Sequence, residues 1–219
     1  MMNVIPDSIW LVVAVLGGYL AGSIPFGLLI AKMRGVDLRH SGSGNIGATN
    51  VFRCVGKSWG VLALLLDALK GFVPAFFFPR VLPAMGTAVP AWLGIACGLA
   101  AVAGHNWPVW LGFKGGKGVS TSAGMALGIA PAAVGIGLAV FAGTVVATRW
   151  VSLASMLGCA VAAAAGFWLY GKTNPLLAWI LVAMTLLVIW RHRANLVRLA
   201  KGTEPRIVGG NKTPPPAAK

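Results

Sequence analysis

Apolar residues in this chain come in long, nearly unbroken blocks, where a soluble fold would alternate them or confine them to one helical stripe. Seven blocks stand out, at about residues 8–31, 59–78, 89–103, 119–130, 131–147, 151–170 and 175–190. A helix crossing the hydrocarbon layer needs roughly 17–25 predominantly apolar residues, so the blocks predict transmembrane helices. The fourth block is short and meets the fifth at Pro131 with no polar loop between them. Joined, they make one long kinked helix, and six spans is the alternative count. Several blocks are rich in Gly and Ala, as in "AVAAAAG", which suits close helix–helix contact in lipid.

Composition agrees with the pattern. The 219 residues are 58% hydrophobic and only 10% charged, with mean hydropathy +0.82; a soluble domain carries about 25% charged residues. The expected class is therefore all-α integral membrane. It is read as a single seven-helix domain over 1–208, and "GGNKTPPPAAK" at 209–219 has the composition of a disordered tail. A net charge of +14 would suggest nucleic acid in a soluble protein, but a membrane protein collects Lys and Arg in its cytoplasmic loops. With the N-terminus outside and seven spans, fifteen of the eighteen basic residues fall inside; Arg80 and Lys172 fall outside and Lys70 within a span. The bias supports an outer N-terminus and a cytoplasmic C-terminus. "MMNVIPDSIW" has no basic stretch ahead of its apolar run, so no cleaved signal is expected. Cys54, Cys97 and Cys159 have neither metal-type nor disulfide-type spacing and read as small apolar fillers.

Three polar stretches interrupt the blocks, and the seven-span arrangement puts all three on the inner face. The first is "SGSGNIGATNVFR", residues 41–53. Ser43, Asn45, Thr49 and Asn50 stand among glycines, which admit a ligand close to the backbone. Successive N–H groups there form an anion nest, and Arg53 adds a fork for phosphate. A tight turn of ordinary turn residues is the plain alternative. The second stretch, "GFKGGKGVSTSAG" at 112–124, follows "GHNWP". It is not a nucleotide loop of the Walker type: position 111 is Leu, and Gly116-Lys117 is followed by Gly118 rather than Ser or Thr. Free N–H groups, Lys114, Lys117 and a helix starting near Val119 still make an anion seat; a glycine hinge with snorkelling lysines is the alternative. The third is "RHRANLVRLAKGTEPR", 191–206. His192 and Asn195, three apart, share a helical face, and the histidine is a candidate acid, base or donor. Arg193, Arg198 and Lys201 read equally as contacts to anionic headgroups. Glu204, the single glutamate, reads as an ion-pair hub. Asp67 and Lys70 lie within the second block and read as a structural pair, because charges in lipid are costly unless paired. His105 and Asn106 read first as a helix cap and an interface contact.

Taken together, "SGNIGATNVFR", "GHNWPVWLGFKGGKGVST" and "HRANLVRLAKGTE", with "LLLDALKG" and "TRWVSLAS" between them, resemble the acyl-phosphate:glycerol-3-phosphate acyltransferases of bacteria, the PlsY family. The resemblance runs in order from about residue 20 to 206 and meets no departure at the motif positions. It implies seven helices with the N-terminus outside, in the bacterial cytoplasmic membrane, with the active site on the cytoplasmic side. It implies acyl transfer from acyl phosphate to the 1-hydroxyl of glycerol 3-phosphate, giving lysophosphatidic acid and phosphate, the first acylation of phospholipid synthesis. The partners implied are these substrates, membrane lipid, and an acyl-carrier-protein:phosphate acyltransferase that makes the donor; no nucleic acid is expected. Ser43 and Arg53 match essential positions, as do His192 and Asn195. Gly115, Gly116 and Gly118 around Lys117 match the glycerol-phosphate site. Asn45, Thr49, Asn50, Lys114 and Ser152 are counted with the phosphate contacts, and Glu204 matches a structurally important glutamate.

The residues suit that chemistry. Both substrates are phosphates, and a mixed anhydride is already activated, so no cofactor, metal or covalent intermediate is required. The only carboxylates are Asp7, Asp37, Asp67 and Glu204, too few and too scattered for a metal cluster. The His-x4-Asp dyad of the thioester-using enzymes is missing: His40, His105 and His192 are followed five positions on by Asn45, Trp110 and Val197. The glycerol hydroxyl's proton has two candidate acceptors, His192 and the donor's own phosphate. The phosphate is favoured, because a histidine among so many cations is hard to hold at a useful pKa. Ser43 is then a positioning or oxyanion donor. An anion transporter would need polar residues running through to the outer face. A lipid-binding scaffold would not need the glycine-bounded Ser, Asn and Thr.

Overall fold

The computed structural model describes residues 6–207, which are helices and connecting turns with no strand among them. The tail expected at 209–219, with the domain limit at 208, lies outside the described residues. The helices are α1 (Asp7–Ser23), α2 (Phe26–Met33), α3 (Ala48–Cys54), α4 (Lys57–Phe76), α5 (Phe78–Val81), α6 (Leu93–Asn106), α7 (Val119–Ile129), α8 (Pro131–Thr148), α9 (Val151–Tyr170), α10 (Pro175–Arg191) and α11 (Arg193–Ala200). Six of the apolar blocks each hold one helix within a few residues of the expected limits, and the first, expected as one span, is divided into α1 and α2. The boundaries have local causes. Pro25 holds Ile24 extended, at φ −62° and ψ 118°, and so separates α1 from α2. Asn174 caps α10 by accepting from the Leu177 N–H at 3.1 Å, with Pro175 at the first helical position. The fourth and fifth blocks are two separate helices: Ala130 leaves the helical region at φ −143° and ψ 56°, and Pro131 opens α8.

Among the described residues, four helical stretches are long and apolar enough to cross a membrane: Asp7–Met33, Lys57–Ala84, Pro131–Thr148 and Val151–Tyr170. The pair α10 and α11, bent by 59° at His192, makes a fifth if counted as one span. The other two expected spans are short. Fourteen residues in α6 and eleven in α7 rise roughly 21 and 16 Å, against a hydrocarbon layer of about 30 Å.

The chain groups into two compact units. One holds the residues up to Pro25 together with Leu65–Pro131; the other holds Phe26–Leu64 and the residues from Ala132 onward. In the first unit α1 packs along α6 through small residues: a Cβ on Gly18 would lie 2.6 Å from the Cys97 carbonyl, so only glycine allows that approach. Ala14, Leu82, Leu93 and Cys97 are buried there, with Trp10 and Phe78 against them. In the second unit α9 and α10 lie side by side. Leu181 fills the space that Gly166 leaves, and the Thr185 hydroxyl donates to the Cys159 carbonyl at 3.0 Å. Large apolar side chains face outward on many helices, among them Val12, Leu65, Trp168 and Leu186. Water would not tolerate such a surface, but hydrocarbon does, provided the backbone is satisfied inside its own helices.

Candidate functional site

The expected residues fall into two constellations, one in each unit. The first surrounds the glycine loop. The Gly115 N–H donates to the Asn106 carbonyl at 3.2 Å and the Gly116 N–H to the His105 carbonyl at 3.1 Å. The loop is therefore folded back on the end of α6. This corrects the expectation of free N–H groups at these two positions: they anchor the loop. Backbone donors without an intrahelical partner lie further on, at the start of α7. Gly118 is its N-cap, at φ 78° and ψ 3°, and no side chain caps it. The first intrahelical bond is Ser122 N–H to Gly118 O, at 2.7 Å, so the preceding N–H groups have no partner within the helix. Helix dipole and open donors together favour an anion there. Lys117 is half-buried beside this end, whereas Lys114 is exposed.

Two buried polar side chains adjoin the same spot. Asn106 is 1% exposed and Thr121 fully buried, and among the described residues neither its amide nor its hydroxyl has a hydrogen-bond partner. The Asn106 amide lies against Gly118, where a Cβ would come within 2.8 Å of its Oδ1. Buried polar groups are normally paired, so an orphaned amide and hydroxyl beside an uncapped helix end fit a polar ligand. Thr121 was not singled out from the sequence; the signal was the polar run "VSTS" in the first turn of α7.

Behind the loop lies a buried charged group. Lys70 Nζ is 2.8 Å from Asp67 Oδ1, both side chains being 3% exposed, and it also donates to the Ile24 carbonyl at 2.7 Å. The Ile24 carbonyl lies at the α1–α2 break. Nδ1 of buried His105 lies 3.6 Å from the same Asp67 oxygen. Asp67 and Lys70, expected as a structural pair, lie at ion-pair distance, and the His105 ring stands next to them without a hydrogen bond to Asp67.

The second constellation joins the first and third polar stretches. In the loop before α3, Gly42 and Gly44 take φ 60° and 68°. Asn50 is 2% exposed and holds the loop from inside: its amide nitrogen donates to the Leu38 and Ser41 carbonyls at 3.2 and 3.0 Å, and its oxygen accepts the Ser43 N–H at 3.0 Å. A carboxamide has two N–H donors, and both are spent here, so Asn50 shapes the loop where the sequence had placed it on phosphate. Asn45 accepts the Gly47 N–H at 2.9 Å. Ser43 is exposed and Thr49 half-buried. Arg53 reaches across 152 positions to donate to the Pro205 carbonyl at 2.9 Å; burial lowers its pKa, and the charge of Glu204 opposes that.

Glu204 organises the rest. Its Oε1 accepts from Ser152 Oγ at 2.7 Å and Asn195 Nδ2 at 2.6 Å, and its Oε2 accepts from Arg198 Nε at 2.7 Å. The Trp150 indole donates to its backbone carbonyl at 3.2 Å. Burial would raise the Glu204 pKa, but these hydrogen bonds and the Arg198 charge outweigh it and hold the carboxyl below its ordinary value. Arg198 is thus a partner of Glu204 rather than a headgroup contact alone. Ser152 and Asn195, expected on substrate, direct these donors at the carboxylate. His192 is 3% exposed and sits at the α10–α11 bend, its Nδ1 2.8 Å from the Val188 carbonyl. A carbonyl only accepts, so Nδ1 carries the proton, and in the neutral ring Nε2 holds the basic lone pair. The Asn195 N–H donates to the His192 carbonyl at 2.8 Å, which fixes the spacing of the two side chains.

Comparison with known proteins gives the family. A family model described as glycerol-3-phosphate acyltransferase matches residues 12–202. The glycerol-3-phosphate acyltransferase of Anaeromyxobacter dehalogenans strain 2CP-1 is 48% identical over 194 residues, 88% of this chain and 95% of that protein. Its counterpart in Geobacter sulfurreducens is 47% identical over 188 residues, 86% and 93% of the two chains. A crystal structure of PlsY, an integral membrane glycerol 3-phosphate acyltransferase in its glycerol 3-phosphate form, superimposes with a TM-score of 0.79 at 41% identity, covering 90% of this chain and 94% of that one. With its apolar helices, its glycine loop and its His-Asn-Glu cluster, this multi-pass membrane chain belongs to the glycerol-3-phosphate acyltransferase family, PlsY.

Proposed function

We propose that this protein transfers a fatty acyl group from acyl phosphate to the 1-hydroxyl of glycerol 3-phosphate. The bond between the acyl carbon and the phosphate oxygen breaks, an ester bond forms at the glycerol oxygen, inorganic phosphate leaves, and the hydroxyl proton passes to a base. The observation that carries the reading is the loop ahead of α7 in a chain of this family: an uncapped helix end behind Gly118, half-buried Lys117, and the orphaned Asn106 and Thr121 side chains. A phosphate takes the helix end and the lysine, and the glycerol hydroxyls suit the amide and the threonine. Lys114, being exposed, serves attraction at a distance.

In the other unit, Ser43 is a hydrogen-bond donor toward the acyl phosphate and Arg53 supplies positive charge. Asn45 and Thr49 line the same loop, and Asn195 and Ser152 act through Glu204. His192 Nε2 and the departing phosphate are the two acceptors for the hydroxyl proton. The reaction proceeds by direct transfer, and a labelled acyl group retained on Ser43 would overturn that. Seven crossings, with the N-terminus outside and the polar stretches on the cytoplasmic side of the inner membrane, follow from the charge distribution. An acyl-carrier-protein:phosphate acyltransferase supplies the donor.

The deciding experiment is purified protein in detergent with palmitoyl phosphate and glycerol 3-phosphate. Release of lysophosphatidic acid and phosphate, with no product from palmitoyl-CoA, is expected. Equal turnover of the thioester would exclude the acyl-phosphate reading.

A further inference from the structure

The buried group behind the glycine loop has no part in the chemistry just described, yet it touches the loop through one residue. Lys70 is held from two sides, by Asp67 and by the Ile24 carbonyl at the α1–α2 break. Asp67 in turn faces the His105 ring, with Nδ1 at 3.6 Å. The other side of that ring is the surface on which the loop lies: a methyl group on Gly116 would run into His105 Nε2, with the neighbouring ring carbons Cδ2 and Cε1 each at 3.0 Å. The His105 backbone adds a second tie, because its carbonyl accepts the Gly116 N–H at 3.1 Å. One residue thus meets Gly116 by ring and by backbone, and a buried ion pair stands behind the ring. The Asp67 carboxylate thus lies near the Nδ1 side of the imidazole, and the Nε2 edge of the ring stands where a side chain on Gly116 would have to go.

We propose that Asp67, Lys70 and His105 are positioning residues for the glycerol-phosphate seat. The pair sets the orientation of the His105 ring, and the ring sets the depth of Gly116, and through it the placement of Lys117 and the open end of α7. None of the three touches substrate. The proposal rests on reading this loop as the glycerol 3-phosphate seat, and it deepens that reading by explaining why position 116 takes glycine.

The test compares Asp67→Asn, His105→Gln, Gly116→Ala and the double variant Gly116→Ala/His105→Ala, each purified in detergent. For Asp67→Asn and His105→Gln, KM for glycerol 3-phosphate is expected to rise tenfold or more, with KM for palmitoyl phosphate and kcat within threefold. Gly116→Ala is expected to show the same rise, and the double variant no further rise, because both changes spoil the same contact. Hydrogen exchange of peptides covering 112–118 is measured in parallel and is expected to quicken in Asp67→Asn and His105→Gln. If both KM values shift together, if the double variant shows the two single rises added together, or if exchange in 112–118 is unchanged, the positioning role is overturned. If the wild-type protein does not acylate glycerol 3-phosphate, the functional reading fails on its own, and the exchange measurement still decides whether the pair and the ring hold the loop.

Discussion

At the scale of single residues, the loop ahead of α7 depends on one backbone conformation. Gly118 holds φ 78°, a region that costs a residue with a Cβ about 1–2 kcal/mol, and its missing side chain leaves room for the Asn106 amide. Gly118→Ala is therefore expected to cost about 1–2 kcal/mol of stability and to raise KM for glycerol 3-phosphate more than it lowers kcat, as steady-state kinetics will read. His192 can be examined in the same way. Its Nδ1 is engaged with the Val188 carbonyl, and His192→Asn keeps a donor near that position while removing the basic Nε2. If His192 is the general base, turnover should fall about 10²–10⁴-fold. Near wild-type turnover across pH would leave the donor's phosphate as the acceptor.

At the scale of elements, Glu204 ties three pieces of one unit: Ser152 from the first turn of α9, Asn195 and Arg198 from α11, and its own segment, which Arg53 holds through the Pro205 carbonyl. The carboxylate is 7% exposed, and removing one member of a buried charge pair costs about 3–5 kcal/mol. Arg198 is partly exposed, so the lower end applies. Glu204→Gln is expected to lower the unfolding temperature in detergent and to reduce activity through misplacement of α11. The pH dependence follows from the lowered pKa. A carboxyl whose folded value is depressed stabilises the protein above its unfolded value, about 4.3, and loses that contribution as pH falls toward the folded one. Thermal stability should therefore decline on acidification below about pH 4.3, and the slope should flatten in Glu204→Gln.

At the scale of the whole molecule, the proposed topology has a direct check. Single cysteines at Lys172 and Lys201, both exposed, in a background with Cys54, Cys97 and Cys159 replaced, are expected to label from opposite sides of the membrane. Lys172 should react from outside and Lys201 from the cytoplasm. Labelling of both from one side would contradict seven crossings with an outer N-terminus. The short helices α6 and α7 make the check worthwhile, since neither reaches across the hydrocarbon layer by length alone.

The sequence by itself determined most of the helices and which polar residues stand out. Block lengths and breakers such as Pro131, Pro175 and Asn174 act locally, so helix limits were legible within a few residues. The glycine loop, Arg53, His192 and Glu204 were legible because polar residues in so apolar a chain are costly and stand out. Partner choice was not legible, because it depends on which side chains folding brings within about 3 Å. Only the tertiary structure decided that Asn50 spends its amide on its own loop, that Ser152, Asn195 and Arg198 meet at one carboxylate, and that Gly115 and Gly116 bond back to α6. Only it showed Thr121 and Asn106 buried without hydrogen-bond partners among the described residues. A hydrogen bond between residues 52 or 152 positions apart leaves no periodic trace along the chain. A buried donor is satisfied only by what the fold places next to it, and that geometry is why the proposed phosphate seat lies at the open end of α7 rather than on the glycine N–H groups that precede it.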